Sequence, residues 1–156
     1  MNGPGRVLLV TADRNQHLHD FTGAFRPEAE AFIHCHAPKG SVVTWVKFDP
    51  SKPYRARRKQ VLAALDAAGP LDSVVFMGHG WRNGIQSGFL VPNIPELAAR
   101  LVAHGTKVVV LYSCDTARDP DDDRHDDMTD PVGGDMGFAD RLRDACQVYG
   151  GEVTVL

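Results

Sequence analysis

The chain has 156 residues, of which 43% are hydrophobic and 24% charged, and a formal net charge of −3 at pH 7. This composition is typical of a globular protein long enough to bury its own core, and the slightly negative charge disfavours binding to nucleic acid or to an anionic membrane. No apolar run approaches the roughly 20 residues that a membrane-spanning helix needs, so we expect no membrane association.

The cysteines and the amino-terminal residues bear on the cellular compartment. Cys35, Cys114 and Cys146 are an odd number of cysteines without a CxxC pair, which predicts free thiols and neither a disulfide framework nor a zinc ribbon. The opening "MNGPGRVLLVTADRN" has an apolar core too short for a secretory signal, because Asp13 interrupts it. These features favour a reducing, cytoplasmic setting.

The first half of the chain alternates apolar runs with amphipathic stretches. "RVLLVTA" (6–12) is short and apolar, which predicts a buried strand, and residues 26–37 predict a helix because proline and acidic residues open them. "SVVTWVKF" (41–48) alternates more, as a strand near a sheet edge does, and residues 55–69 have the pattern of an amphipathic helix that ends at a glycine. "SVVFMG" (73–78) is the third predicted strand.

The second half continues this alternation after a glycine-rich loop. Residues 93–105 predict a helix capped by an asparagine, and "KVVVLYS" (107–113) is the most apolar strand, which we expect at the centre of the sheet. The acidic, proline-broken segment 115–135 predicts a long exposed loop, a type that is often functional in compact domains. Residues 137–151 predict a last helix, and residues 152–156 begin a fifth strand.

This order of elements predicts an α/β fold with a three-layer, doubly wound, mainly parallel sheet of about five strands and helices on both faces. No internal repeat or linker divides the chain. We therefore expect residues 1–156 to form a single domain, which is either a minimal version of this fold or a piece of a longer one that is cut within its fifth strand. Catalytic groups and ligands of such sheets gather at the carboxyl ends of the strands.

A histidine and a cysteine follow two consecutive predicted strands at that edge. His79 comes directly after the third strand, in "FMGHG", and Cys114 comes directly after the fourth, in "LYSC". Adjacent parallel strands are about 4.8 Å apart, so the two side chains would be within reach of each other. Because the thiolate is the nucleophilic form and a free thiol ionises little at neutral pH, His79 is the candidate general base for Cys114.

The glycines beside the histidine have predicted roles of their own. Gly78 and Gly80 would free the backbone so that His79 turns towards Cys114. The unobstructed N–H of Gly80 would point, together with the N–H of Cys114, at the oxyanion that develops during acyl transfer. These two amides are therefore the candidate oxyanion hole.

At these residues the sequence resembles the caspase-like cysteine peptidases, the class that includes metacaspases, legumains, gingipains, clostripain and separase. His79 and Gly80 match the His-Gly pair that follows one apolar strand in this class, and Ser113 and Cys114 match the small residue and cysteine that follow the next. The resemblance implies a caspase-like fold and a cysteine endopeptidase, which hydrolyses a peptide or protein substrate by a Cys–His dyad without a required cofactor.

The resemblance also indicates candidate substrate-binding residues. Metacaspases carry an acidic pocket residue two positions before the cysteine, where this chain has Tyr112, and caspases use the loop after the first strand, where this chain has Asp13 and Asp20. Asp115 opens the acidic loop, which borders the substrate cleft in this class and contains nine aspartates. Their negative potential predicts a preference for basic residues beside the scissile bond.

Two patterns raise the question of a bound metal. His34 and His36 are two residues apart in a predicted helix and do not share a face, and His17 and His19 lie in a loop where such pairs often stay solvated, so we expect no zinc site. The acidic loop resembles a calcium loop in its aspartate spacing, but Arg124 stands where the turn needs glycine. At most weak calcium binding is expected.

Other functions fit the same fold class. A catalytically inactive caspase-fold module would bind a protein partner through the same face of the sheet. A receiver-like or nucleotide-binding domain has less support, because the chain has neither a GxGxxG nor a GxxxxGK phosphate loop. An α/β-hydrolase would need a GxSxG nucleophile elbow, which the sequence lacks. The sequence predicts no oligomeric state.

Overall fold

The computed structural model describes residues 5–13, 25–113 and 137–156. Their strands, in chain order, are β1 (Arg6–Ala12), β2 (Val42–Phe48), β3 (Ser73–Met77), β4 (Gly80–Trp81), β5 (Gly84–Ile85), β6 (Phe89–Leu90), β7 (Val108–Tyr112) and β8 (Thr154–Val155). The helices are α1 (Phe25–His36), α2 (Tyr54–Ala68), α3 (Ile94–Ala103) and α4 (Phe138–Val148), with 3-10 turns at Ala37–Lys39 and Val91–Asn93. Within these residues, no helix combines the length and the apolar character that crossing a membrane requires.

The main sheet is parallel throughout and has the strand order β2-β1-β3-β7-β8. This arrangement confirms the predicted α/β fold with a parallel sheet of five strands. The direction of winding reverses between β1 and β3, because the chain leaves β1 towards β2 and leaves β3 towards β7. In open parallel sheets, ligands bind in the crevice that this reversal opens at the carboxyl ends of the strands.

Two expectations about strand position have different outcomes. β2 lies at an edge of the sheet, as its alternating pattern predicts. The central strand is β3 and not β7, so the expectation for the most apolar strand was wrong. β7 lies between β3 and β8 and pairs with both. A strand that is paired on both sides is rich in apolar residues whether or not it is the central one.

Helices cover both faces of the sheet. α2, α3 and α4 contribute Leu65, Leu101 and Leu142 to the larger hydrophobic core, which also includes Val74 and other strand residues. On the opposite face, α1 contributes Ala29 to a smaller core of strand side chains. The apolar residues of each helix recur at the three- and four-residue spacing that places them on one face, so each helix can lie flat on the sheet.

A second, antiparallel sheet of β4, β5 and β6 replaces the glycine-rich loop that the sequence predicts after β3. β4 and β5 are joined by the two residues 82–83, and β5 and β6 by the three residues 86–88. The N–H of Gly88 donates to the carbonyl of Ile85 at 3.0 Å, and Gly88 has a φ of +97°, which closes the second turn in a conformation that glycine adopts readily.

The first turn of α2 holds this small sheet in place. The Arg57 guanidinium donates to the carbonyl oxygens of Gln86 at 3.0 Å and Pro50 at 2.6 Å, and Arg58 donates to the carbonyl of Gly88 at 3.0 Å. Gly88 lies so close to the helix that an added Cβ would come within 2.2 Å of the Tyr54 carbonyl oxygen. The 86–88 turn therefore has a fixed position relative to the main sheet.

Asn93 stands at the predicted capping position of α3, but its side chain makes no capping hydrogen bond. Its Oδ1 instead accepts hydrogen bonds from the Leu90 N–H at 3.3 Å and from the Arg58 guanidinium at 3.1 Å. The asparagine thus ties the end of the small sheet to α2, and the predicted capping role was wrong.

Candidate active site

His79 and Ser113 line one cleft at the carboxyl edge of the main sheet. They are brought there by the register of β3 and β7, in which Met77 pairs with Tyr112 and the Gly78 N–H donates to the Tyr112 carbonyl at 3.3 Å. The predicted adjacency of the third and fourth long strands is therefore confirmed. Val10 of β1 lines the same cleft, which places it at the reversal of the strand order.

The chain turns sharply where β7 ends. The Ser113 N–H donates to the Leu111 carbonyl at 2.8 Å, a bond between residues two apart that closes a three-residue γ-turn around Tyr112. Cys114, the predicted nucleophile, follows Ser113 and lies outside the described residues. What the described part establishes is that the residue bonded to Cys114 and the predicted base share a cleft.

The imidazole of His79 is exposed and has an aromatic neighbour from α1. The rings of Phe25 and His79 meet edge to face, with their centroids 5.2 Å apart and an interplanar angle of 88°. Such edge-to-face contacts are favoured by the ring quadrupole and restrict the orientation of both rings. Phe25 and the small antiparallel sheet therefore contact the histidine from opposite sides of the sheet edge.

The backbone of His79 is held by Gln86. The Gln86 N–H donates to the His79 carbonyl at 2.9 Å, and the His79 N–H donates to the Gln86 side-chain Oε1 at 3.1 Å. Both polar backbone groups of the histidine are thereby used. Because the 86–88 turn is hydrogen-bonded to α2, the position of the predicted base depends on the position of α2.

The expected role of the glycines on either side of His79 needs correction. Neither Gly78 nor Gly80 has a positive φ, so the histidine does not depend on a glycine-specific backbone conformation. Gly78 matters for space, because an added Cβ would come within 3.0 Å of the Gln86 Oε1. A side chain at position 78 would push away the acceptor that holds the His79 N–H.

The register of the small sheet fixes the direction of the Gly80 amide. In an antiparallel pair, hydrogen-bonded and non-hydrogen-bonded residue pairs alternate. Since Gln86 donates to the His79 carbonyl, the next pair, Gly80 with Ile85, is a non-hydrogen-bonded pair. The Gly80 N–H consequently points away from β5 and is not used in the ladder between β4 and β5.

The cleft is small, with a cavity volume of about 10 Å³, roughly the space of one water molecule. Its apolar walls come from three strands of the main sheet and from β5, and they include Val10, Phe48, Phe76 and Ile85. Gln86 and Ser87 of the three-residue turn also line it. Among the described lining residues, no side chain is acidic and none belongs to lysine or arginine.

One polar atom of this lining has no partner within the described part of the chain. Ser87 is only 3% exposed, and its Oγ forms no hydrogen bond there. An unsatisfied buried hydroxyl costs about 1–3 kcal/mol, so such groups usually mark a place where water or a ligand completes the hydrogen bonding. Ser87 is one of the residues that line the cleft.

The tentative substrate-binding residues have separate outcomes. Asp13 and Tyr112 lie at the same edge of the sheet, directly after β1 and at the end of β7, but the cleft lining includes neither. The Asp13 N–H donates to the Phe48 carbonyl at 2.7 Å, and Tyr112 is 53% exposed. Asp20 and Asp115 lie outside the described residues, as does the rest of the acidic loop.

Two other cysteines serve as references for any thiol chemistry. Cys35 is exposed on α1, whereas Cys146 is fully buried in the larger core. Burial raises the pKa of the Cys146 thiol to about 11, because the apolar surroundings disfavour the thiolate. Cys146 is therefore protonated at neutral pH and is not a nucleophile.

The histidines considered as metal ligands are distributed as follows. His34 is exposed near the end of α1, and the ring of His36 stacks on Phe32 with centroids 4.2 Å apart. His17 and His19 lie outside the described residues. In residues 5–13, 25–113 and 137–156, no three His, Cys, Asp or Glu side chains are grouped as a metal site would need.

Sequence reasoning missed three residues of this edge: Phe25, Gln86 and Ser87. The Asn83-Gly84 dipeptide is a common turn sequence of hairpins and was the available signal for the small sheet. No local pattern marks Gln86 or Ser87, because their roles depend on how the turn packs against α2 and β3.

Comparison with family models and with curated proteins finds no match to this chain.

Proposed function

We propose that the protein is a cysteine endopeptidase in which Cys114 is the nucleophile and His79 the general base and acid. The observation that carries this proposal is the shared cleft of His79 and Ser113, since Ser113 is covalently bonded to Cys114. The resemblance of "FMGHG" and "LYSC" to the caspase-like motifs supports it from the sequence, and the parallel fold is compatible with it.

In this proposal, His79 takes the proton of the Cys114 thiol, and the thiolate attacks the carbonyl carbon of the scissile peptide. The carbonyl π electrons move to oxygen and return when the C–N bond breaks, and the protonated His79 gives its proton to the departing amine. Water, deprotonated by His79, then attacks the thioester and releases the acid and the Cys114 thiol, which regains its proton. The reaction needs no cofactor.

The Gly80 amide supports an oxyanion hole. Its N–H points away from β5 and directly follows the predicted base in the chain. Gly80 is not among the described residues that line the cleft, so its donation to a developing oxyanion stays a prediction. The second donor would be the N–H of Cys114. One such donor contributes about 10²–10³ in rate in enzymes of known mechanism.

The proposed partners are peptide or protein substrates, and the preference for a basic residue beside the scissile bond stays a prediction. It rests on aspartates that lie outside the described residues. The inactive binding module is the alternative, and it would use the same edge of the sheet without a reactive thiol.

Site-resolved alkylation tests the proposal. At pH 6.5, an unassisted thiol with a pKa of about 8.5 is only about 1% ionised, so iodoacetamide should modify Cys114 at least tenfold faster than the exposed Cys35. Cys114→Ala should abolish cleavage of a mixed peptide library, whereas Cys35→Ala should retain it, with both variants folded by circular dichroism. Full cleavage by Cys114→Ala would refute the dyad. No cleavage by the native protein, with Cys114 as slow as Cys35, would favour the binding module.

A further inference from the structure

The cleft beside His79 has the size of one water molecule. Its cavity volume is about 10 Å³, which is close to the smallest volume that a water needs and far too small for an amino acid side chain. Size alone does not bring a water into a cavity, because small cavities with purely apolar walls stay dry. The polar groups of the lining therefore decide what the cavity binds.

Ser87 supplies the polar group that a bound water requires. The residue is 3% exposed, and its Oγ forms no hydrogen bond within the described part of the chain. A hydroxyl has one donor and two acceptor positions, so it can pair with a water in either direction. Leaving such a group unsatisfied is costly, whereas immobilising one water usually costs less, so the balance favours a bound water.

A buried water makes two to four hydrogen bonds, so a second lining group has to take part. Gln86, the neighbour of Ser87 in the turn, also lines the cleft. Its Oε1 lies close to Gly78, another lining residue, because a Cβ added there would come within 3.0 Å of this oxygen. The Oε1 accepts the His79 N–H at 3.1 Å, and the second lone pair of the carbonyl oxygen can accept from a water.

We infer that the cleft binds one water molecule, which bridges the Ser87 Oγ and the Gln86 Oε1. The water donates one proton to the Oε1 and forms its second hydrogen bond with the Ser87 hydroxyl. It thereby completes the hydrogen bonding of the turn that holds the His79 backbone. This inference does not rest on the proposed function, since it involves no reaction of Cys114.

A high-resolution crystal structure of the full chain tests the site directly. The native protein should show an ordered water within about 3.2 Å of both the Ser87 Oγ and the Gln86 Oε1. In Ser87→Ala the water should be lost, because a methyl group offers it no hydrogen bond. The inference is overturned if the native protein has no water there, if a protein group bonds the Ser87 Oγ directly, or if the water stays fully occupied in Ser87→Ala.

Urea unfolding gives an independent test through the sign of the change. If a water satisfies the hydroxyl, Ser87→Ala removes a hydrogen bond, and the equilibrium constant for unfolding should rise about two- to tenfold. If the hydroxyl were unsatisfied, its removal would instead stabilise the protein and lower this constant. A constant that falls or stays unchanged in Ser87→Ala would therefore overturn the inference.

Thr106 provides the matched control. Its hydroxyl is also buried without a partner in the described residues, but Thr106 does not line the cleft. Thr106→Val should therefore not raise the unfolding constant, in contrast to Ser87→Ala. Because neither test involves Cys114, a failure of the water site leaves the peptidase proposal standing, and an unreactive Cys114 leaves the water site standing.

Discussion

Gln86 and His79 are joined by two hydrogen bonds that run in opposite directions, one from each backbone N–H. Gln86 donates to the His79 carbonyl at 2.9 Å, and His79 donates to the Gln86 Oε1 at 3.1 Å. In the second bond, the side-chain oxygen of Gln86 takes the place of the Gln86 backbone carbonyl as acceptor. That carbonyl accepts a hydrogen bond from the Arg57 guanidinium instead. The predicted base is thus positioned by a side chain that is itself anchored through α2.

Removing the Gln86 acceptor should loosen His79. We expect Gln86→Leu to destabilise the protein by about 0.5–1.5 kcal/mol, the net contribution of one hydrogen bond, and to slow Cys114 alkylation at pH 6.5. Gln86→Glu keeps the Oε1 acceptor and should retain the native rate. The measurements are urea unfolding and site-resolved alkylation. A loss of stability with no change in alkylation would mean that Gln86 supports the fold and does not position His79.

The histidine itself should control the reactivity of Cys114. In a Cys35→Ser background, His79→Ala should slow iodoacetamide labelling of Cys114 at pH 6.5 by at least tenfold, because the thiol then has no base to take its proton. His34, exposed on α1, provides the matched control, and His34→Ala should leave the rate unchanged. Equal labelling rates in the two variants would argue against the dyad.

Gly88 should tolerate no side chain, for a reason beyond its backbone angle. At φ +97°, an added Cβ would come within 2.2 Å of the Tyr54 carbonyl oxygen, so Gly88→Ala must displace the 86–88 turn or the start of α2. We expect a loss of about 3 kcal/mol or more.

Gly105 separates the two causes, because its φ is +72° but an added Cβ would meet nothing within 4 Å. Gly105→Ala should lose only the backbone contribution, about 1–2 kcal/mol. Chemical unfolding of both variants gives the comparison. Equal losses would show that contact with α2 does not constrain the turn.

Alkaline pH should destabilise the protein through Cys146. Burial raises the pKa of the Cys146 thiol in the folded state from its ordinary value near 9 to about 11, so the folded state keeps a proton that the unfolded chain releases. The stability contribution is fully present below pH 9 and falls as the pH rises towards 11, by about 2 kcal/mol at pH 11.

Cys146→Ala provides the comparison, because the other titrating groups are common to both proteins. The free energy of unfolding of the native protein should fall more steeply between pH 9 and 11 than that of the variant, whatever their difference at pH 7. Parallel curves would contradict a buried, protonated Cys146. The variant should also be less stable at pH 7 by about 1 kcal/mol, because it leaves a small cavity in the core.

The main sheet was predictable because each of its strands carries a local signal. The apolar runs that became β1, β3 and β7 are bounded by turns, and the helices between them have a clear three- and four-residue spacing. Strand order was harder to predict. It depends on which faces the helices cover, and the apolar content of β7 does not distinguish a central strand from its neighbour.

The candidate site was predictable only where a residue with reactive chemistry directly follows a strand. His79 was identified because it follows a buried strand, and its adjacency to the end of β7 followed from the parallel order. Ser87 and Gln86 were missed because their roles arise from the 86–88 turn, which is hydrogen-bonded to Arg57 and Arg58 of α2. These arginines lie about 30 residues earlier in the sequence. Local patterns carry no information about such contacts.

The unequal covering of the sheet has a consequence for hydrogen exchange. α1 buries only Ala29, whereas α3 buries Ile94, Leu97, Ala98 and Leu101. The free energy of local opening follows the apolar area that an element buries, so the amides of α1 should exchange with solvent before those of α3. Opening of α1 would remove the contact of Phe25 with His79. One contact of the imidazole therefore depends on a helix that buries fewer residues than α3.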